Sequence, residues 1–167
     1  MSQSYEFLAR VLAIGVGATL VMDLWAALLR RVGVRSLDFA LLGRWIGSWR
    51  RGRWSHADIS RAEPVRGERA IGWAAHYSIG VAFAGLLVSV FGLGWARAPS
   101  PLPALWIGLV TAAAPLLVLQ PALGAGIASS KTPRPWFNAG KSVVTHAVYG
   151  LGLYAAAWLG AALWPGA

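Results

Sequence analysis

The sequence predicts an all-α polytopic membrane protein: a bundle of four transmembrane helices, with an amphipathic interfacial helix between spans 1 and 2, forming a single membrane domain over residues 1–167. Three observations lead there. The chain is 57% hydrophobic and 13% charged, with a mean hydropathy of +0.56, far more apolar than a soluble domain. Its apolar residues come in long unbroken runs, each near the length of about 20 residues that crosses hydrocarbon at about 1.5 Å per residue. Its basic residues concentrate in two of the connections between those runs.

The first run, residues 11–29, reads as a span rather than a secretory signal. The preceding "MSQSYEFLAR" lacks a basic start, and no small-residue cleavage site leads into a soluble domain. Glu6 and Arg10 are expected to snorkel to the outer interface. Within residues 37–54, Leu37, Leu41, Leu42, Trp45, Ile46 and Trp49 fall at helical spacings, with Arg44, Arg50, Arg51 and Arg53 free for lipid headgroups. That pattern describes a helix lying in the interface. The polar "SHADISRAEPVRGERA" contains Pro64 and Gly67 and returns the chain through a loop, where Ser55 or Asp58 can cap a short helix.

Span 2 covers residues 71–95 and is ended by the proline-rich turn "ARAPSPLP". Span 3 covers 102–128 and is interrupted by Pro115 and Pro121. Carbonyls released by those prolines must be satisfied by protein or water, so a helix lined by protein is expected, of the kind that borders ion or substrate sites. Span 4 covers 142–163.

Charge sets the orientation. Residues 30–69 hold ten arginines against four carboxylates, a net +6, and the connection between spans 3 and 4 adds Lys131, Arg134 and Lys141. The other turn has only Arg97. The positive-inside rule then makes both basic connections cytoplasmic and puts both termini outside. The overall charge of +9 is therefore assigned to anionic lipid headgroups rather than to nucleic acid. Cysteine is absent, which removes thiolate ligands and thiol nucleophiles.

Three spans place an ionisable residue in a stripe of small neighbours four residues apart: Gly15, Thr19, Asp23 and Ala27; Gly72, His76, Gly80 and Ala84; Ser142, His146 and Gly150. Such stripes mark close helix approach. On span 3 the same spacing collects Ala112, Leu116, Gln120 and Gly124. Counted from the flanking charges, Asp23, His76 and His146 lie roughly 8–10 Å inside the cytoplasmic boundary, and Gln120 is comparable if the chain unwinds after it. A shared layer is expected, because an ionised carboxylate without a partner in hydrocarbon is costly. Asp23, His76, Gln120 and His146 are its candidates, with His56 and Glu68 secondary. The stripes also suggest duplicated hairpins, His76 matching His146 and Asp23 matching Gln120.

The stretches "GVGATLVMDLWAALLRR", "GRWIGSWRRGRWSHADI", "GERAIGWAAHYSIGVAFAGLL", "QPALGAGIASSKTP" and "HAVYGLGLY" resemble a family of small bacterial inner-membrane proteins known as domain of unknown function 2938. The resemblance implies a four-span membrane protein and carries no assigned activity or catalytic residue.

Three functions fit these residues. The first is a small carrier or permease in which Asp23 and the histidines bind a proton or cation; four short helices enclose little volume, so a homodimer is expected. The second is a redox protein or enzyme, with His76 and His146 as axial ligands of haem b, or Asp23, His76 and His146 binding a divalent metal ion. The third is a noncatalytic scaffold or accessory subunit, anchored by its interfacial tryptophans and arginines. No nucleophile elbow, phosphate-binding loop or zinc-protease helix is present in the sequence.

Overall fold

A computed structural model describes residues 2–164 of the 167. Among them there is no strand, and four segments are long and apolar enough to cross a membrane: Gln3–Arg31, Glu68–Arg97, Pro101–Ala122 and Pro135–Leu163.

Helix α1 (Gln3–Arg31) opens on Ser2, whose hydroxyl accepts from the Tyr5 amide, and closes with Arg30 and Arg31 in its last turn, where cations complement the helix dipole. Helix α2 (Phe39–Ser48) is capped by Asp38 and continues through one tighter turn, Trp49–Arg51, to Gly52, which takes φ 68°. It buries Leu42 and Gly43. Helix α3 (Glu68–Arg97) bends at Gly92, where φ is 78°. Past that bend Trp95 and Ala96 turn into the core.

The third span departs from a regular helix. Helix α4 (Pro101–Thr111) gives way to a π-helical stretch, Ala114–Leu119, before the short α5 (Gln120–Ala122). Pro115 lacks an amide for the ladder, and the wider turn re-satisfies the backbone. The helix stops after Ala122 instead of reaching Ala128, because Gly124, Gly126, Ala128 and Ser129 all take positive φ. Helix α6 (Pro135–Leu163) begins seven residues before the expected span, with proline in its first turn.

Helix α1 packs against both α3 and α6, α4 packs mainly against α6, and α3 with α4 closes the circuit. Small residues permit these approaches: a Cβ on Gly15 would lie 2.5 Å from the Val81 Cα, and one on Gly108 would lie 2.6 Å from the His146 carbonyl oxygen. Across the short diagonal the fully buried Tyr149 donates its hydroxyl to the Gly80 carbonyl at 2.6 Å. The core runs through Ile14, Ala18, Ala84, Leu87, Leu153 and Ala157.

Candidate functional site

The stripes of α1 and α3 face one another. Thr19 donates to the Gly15 carbonyl, and a Cβ on Gly80 would overlap the Thr19 Oγ1 at 2.0 Å. One turn toward the basic side, the same contact brings His76 Nε2 to 2.9 Å from Asp23 Oδ1. Tyr77 donates its hydroxyl to Asp23 Oδ2, also at 2.9 Å, so both carboxylate oxygens have partners. The side chains of His76 and Asp23 are only 13% and 20% exposed.

Helix α2 roofs this cluster. The Phe39 ring stacks on His76 with centroids 4.2 Å apart and planes 29° apart, and Trp73 meets the Phe39 ring 4.5 Å away. Gly72 makes this possible: its absent Cβ leaves space for the Phe39 carbonyl, and the absent Cβ of Gly43 does the same for the Glu68 carbonyl. The glycines on either side of His76 therefore admit α2 at one end and the Thr19 side chain at the other.

Glu68 locks α2 in place. Its carboxylate accepts two bonds from Arg44, at 2.8 and 2.9 Å, while Arg44 Nη1 also donates to the carbonyls of Ile59, Ser60 and Ala62. This planar fork is a geometry lysine cannot supply. The Glu68 carboxylate raises the Arg44 guanidinium above its ordinary pKa, and the Ser60 hydroxyl and amide lower that of Asp58. His56 lies within this same connection, its Nε2 3.0 Å from the Ser48 hydroxyl and its amide donating to the Ala122 carbonyl. The Ile59 amide takes the Leu123 carbonyl. The carbonyls at the end of span 3 are thus capped by the α2–α3 connection.

His146 and Gln120 lie elsewhere, which corrects the four-residue layer. The face of α6 bearing Ser142, His146 and Gly150 packs on the third span, not on the α1–α3 interface. His146 Nδ1 is 3.2 Å from Thr111 Oγ1, and Gly150 approaches Ala104 and Gly108. Gln120 donates to Ser142 and accepts from Ser129, at 3.0 and 2.9 Å. The four-residue count through Ala112, Leu116 and Gln120 fails because the π-helical stretch shifts the phase, and Gly124 has left the helix altogether. Gln120 also meets Ser142 rather than His146, so the proposed equivalence of the two hairpins does not extend to their polar contacts.

The expected metal set of Asp23, His76 and His146 is not assembled: among the described residues no three histidine or carboxylate groups come together as ligands. A pair of haem axial ligands fits no better, since the diagonal between α3 and α6, where a group shared by His76 and His146 would lie, is filled by Tyr149 and Phe83.

Glu6 and Arg10 do not snorkel outward. Arg10 and Arg97 both bond the Glu6 carboxylate, and Arg10 also donates to the Ala96 carbonyl at 3.1 Å; the side chains of Glu6 and Arg10 are 5% and 4% exposed. The bend at Gly92 carries Arg97 to this meeting point. Tyr77 is the participant that stripe counting misses, because a residue adjacent to His76 falls off the four-residue spacing; a phenol at the depth of Asp23 was the available clue.

Fold and site define a helical bundle, with four segments suited to crossing a membrane, that holds a carboxylate–imidazole–phenol cluster between its first two spans. Within that class the chain belongs to the family described as a protein of unknown function (DUF2938), whose family model matches residues 12–160. No curated protein and no solved structure matches the chain.

Proposed function

We propose that this protein is a small proton carrier of a bacterial inner membrane, and that the Asp23–His76 pair is its proton-binding site. One observation carries the reading: His76 Nε2 and the Tyr77 hydroxyl converge on the two oxygens of Asp23 inside apolar helices. An intramembrane carboxylate is costly to maintain and marks ion or proton pathways in membrane proteins. Imidazole is the side chain that gains and loses a proton in the physiological range, and an adjacent carboxylate holds the charged form. An arriving proton lands on the imidazole, Asp23 balances it, and Tyr77 keeps the second carboxylate oxygen satisfied in both states.

The remaining architecture supports the same reading. The roof formed by Phe39 sits on an amphipathic helix tied to α3 by the Arg44–Glu68 pair, which covers the site on the side of the basic connection. In this proposal the basic connections are cytoplasmic and touch anionic headgroups, both termini are outside, and a homodimer provides the volume that four helices lack.

Proteoliposomes loaded with a pH-sensitive dye test it. Under an imposed pH gradient, with valinomycin to prevent charge build-up, wild-type protein is expected to pass protons, while Asp23→Asn and His76→Ala lose at least tenfold of that flux. Thr111→Val, which removes the hydroxyl's contacts with the Gly108 carbonyl and His146 but none at Asp23 or His76, is expected to keep it. Equal flux from wild type, Asp23→Asn and empty vesicles would reduce the cluster to a helix-packing device and favour a scaffold.

A further inference from the structure

Where α1 ends and α6 begins, the surface carries an apolar groove of about 360 Å³ between Trp25, Leu29 and Val34 on one side and Trp136, Phe137 and Lys141 on the other. It is separate from the Asp23–His76 cluster, and the proton-carrier reading does not enter the inference drawn from it. The geometry points to a binding site for one anionic phospholipid, with an acyl chain in the groove and the phosphate at Lys141.

The occupant follows from shape and charge together. The walls are aromatic and aliphatic, and no carboxylate lies among the lining residues. At the mouth, Lys141 Nζ donates to the Arg35 carbonyl at 2.6 Å, which fixes the ammonium and leaves two of its three N–H groups for a ligand. Arg30 and Arg31 follow the lining residue Leu29 in the last turn of α1, with Arg30 bonded to the Ser36 hydroxyl. A zwitterionic headgroup would bring its own cation against these charges, whereas an anionic one would not. Trp136, 90% exposed, stands at the rim, where an indole beside basic residues is suited to headgroup depth. The arrangement thus runs from apolar to aromatic to cationic, in the order in which a phospholipid presents acyl chain, glycerol ester and phosphate.

Two substitutions separate the chain-binding and headgroup-binding parts. Gly140 lines the groove within α6, and a Cβ there meets nothing within 4 Å, so Gly140→Leu fills the slot without disturbing the helix. Lys141→Gln removes the phosphate contact, and Arg50→Gln removes the same charge from an exposed position outside the groove.

The test is native mass spectrometry of detergent-purified protein titrated with phosphatidylglycerol or phosphatidylcholine, with unchanged melting temperature as the check on folding. Wild type is expected to prefer phosphatidylglycerol by about fivefold, the effect of about one basic side chain near an anionic surface. Lys141→Gln is expected to equalise the two lipids, Gly140→Leu to weaken both, and Arg50→Gln to change neither. Equal affinity of wild type for the two lipids, or phosphatidylglycerol binding unaltered by Gly140→Leu, would overturn the site. A dimer abolished by Gly140→Leu, without any lipid preference, would assign the groove to a second copy of the chain instead.

Discussion

Replacing Gly72 by alanine is expected to destabilise the protein and uncover His76 in one step. The new Cβ would sit 1.7 Å from the Phe39 carbonyl oxygen and 3.1 Å from the Gly43 amide nitrogen, so neither contact can be relieved by a flexible side chain. Ordinary contact begins near 3.4 Å, and α2 must withdraw by about that shortfall. Even a radial gap of about 1 Å forfeits up to about half of a dispersion contact, so most of the packing of Leu42 on α3 goes with it. Overpacking of this kind costs about 1–3 kcal/mol, and partial exposure of a leucine adds about 1 kcal/mol. A loss of about 2–4 kcal/mol follows.

The control is internal. Gly160 also lies in a long helix, yet a Cβ there meets nothing within 4 Å, so Gly160→Ala is expected to be neutral or to stabilise by up to about 1 kcal/mol through helix propensity. Equilibrium unfolding in mixed detergent micelles reads both variants. If Gly72→Ala lies within about 0.5 kcal/mol of Gly160→Ala, the close α2–α3 crossing is wrong, and the roof over His76 with it.

Further outcomes follow from the other polar contacts. Glu6→Gln strands the buried Arg10, whereas Arg97→Gln removes a half-exposed partner, so the first is expected to lower the unfolding midpoint more; equal shifts would contradict the buried triad. Arg44→Ala frees the carbonyls of Ile59, Ser60 and Ala62 and is expected to speed tryptic cleavage after the exposed Arg61, with Arg44→Lys intermediate because it keeps charge but loses the fork; unchanged cleavage would argue against the clamp. Added haem is expected to give no axial-ligand absorption band that vanishes in His76→Ala or His146→Ala. Such a band would show that the two rings turn toward a common ligand.

Much of the architecture was legible in the sequence because hydrocarbon imposes simple rules. A run of about 20 apolar residues has few alternatives to a helix, and Gly15, Thr19 and Gly80 announced where α1 and α3 would meet, while Gly72 marked a close contact that α2 fills. The partner of each polar group was harder to read. A four-residue stripe says that a helix has a close neighbour, not which one, and α6 turned its His146 face to the third span while presenting Tyr149 to α3. Helical counting also assumes constant phase, which Pro115 removed from Gln120. The Glu6–Arg10–Arg97 triad depended on a glycine bend more than eighty residues along the chain from Glu6, a long-range event with no local trace. His56, in the polar connection, and Glu68, at the entry of span 2, give no local sign of their partners for the same reason: Ser48 and Arg44 come from the helix packed against them.

The most direct test of the proton-site claim is infrared difference spectroscopy of the reconstituted protein across a pH titration, with histidine isotope labelling to identify imidazole bands. The account predicts that a carboxylate band and an imidazole band change together, and that both responses are lost or displaced in Asp23→Asn and in His76→Ala. A difference spectrum that neither substitution alters would contradict it.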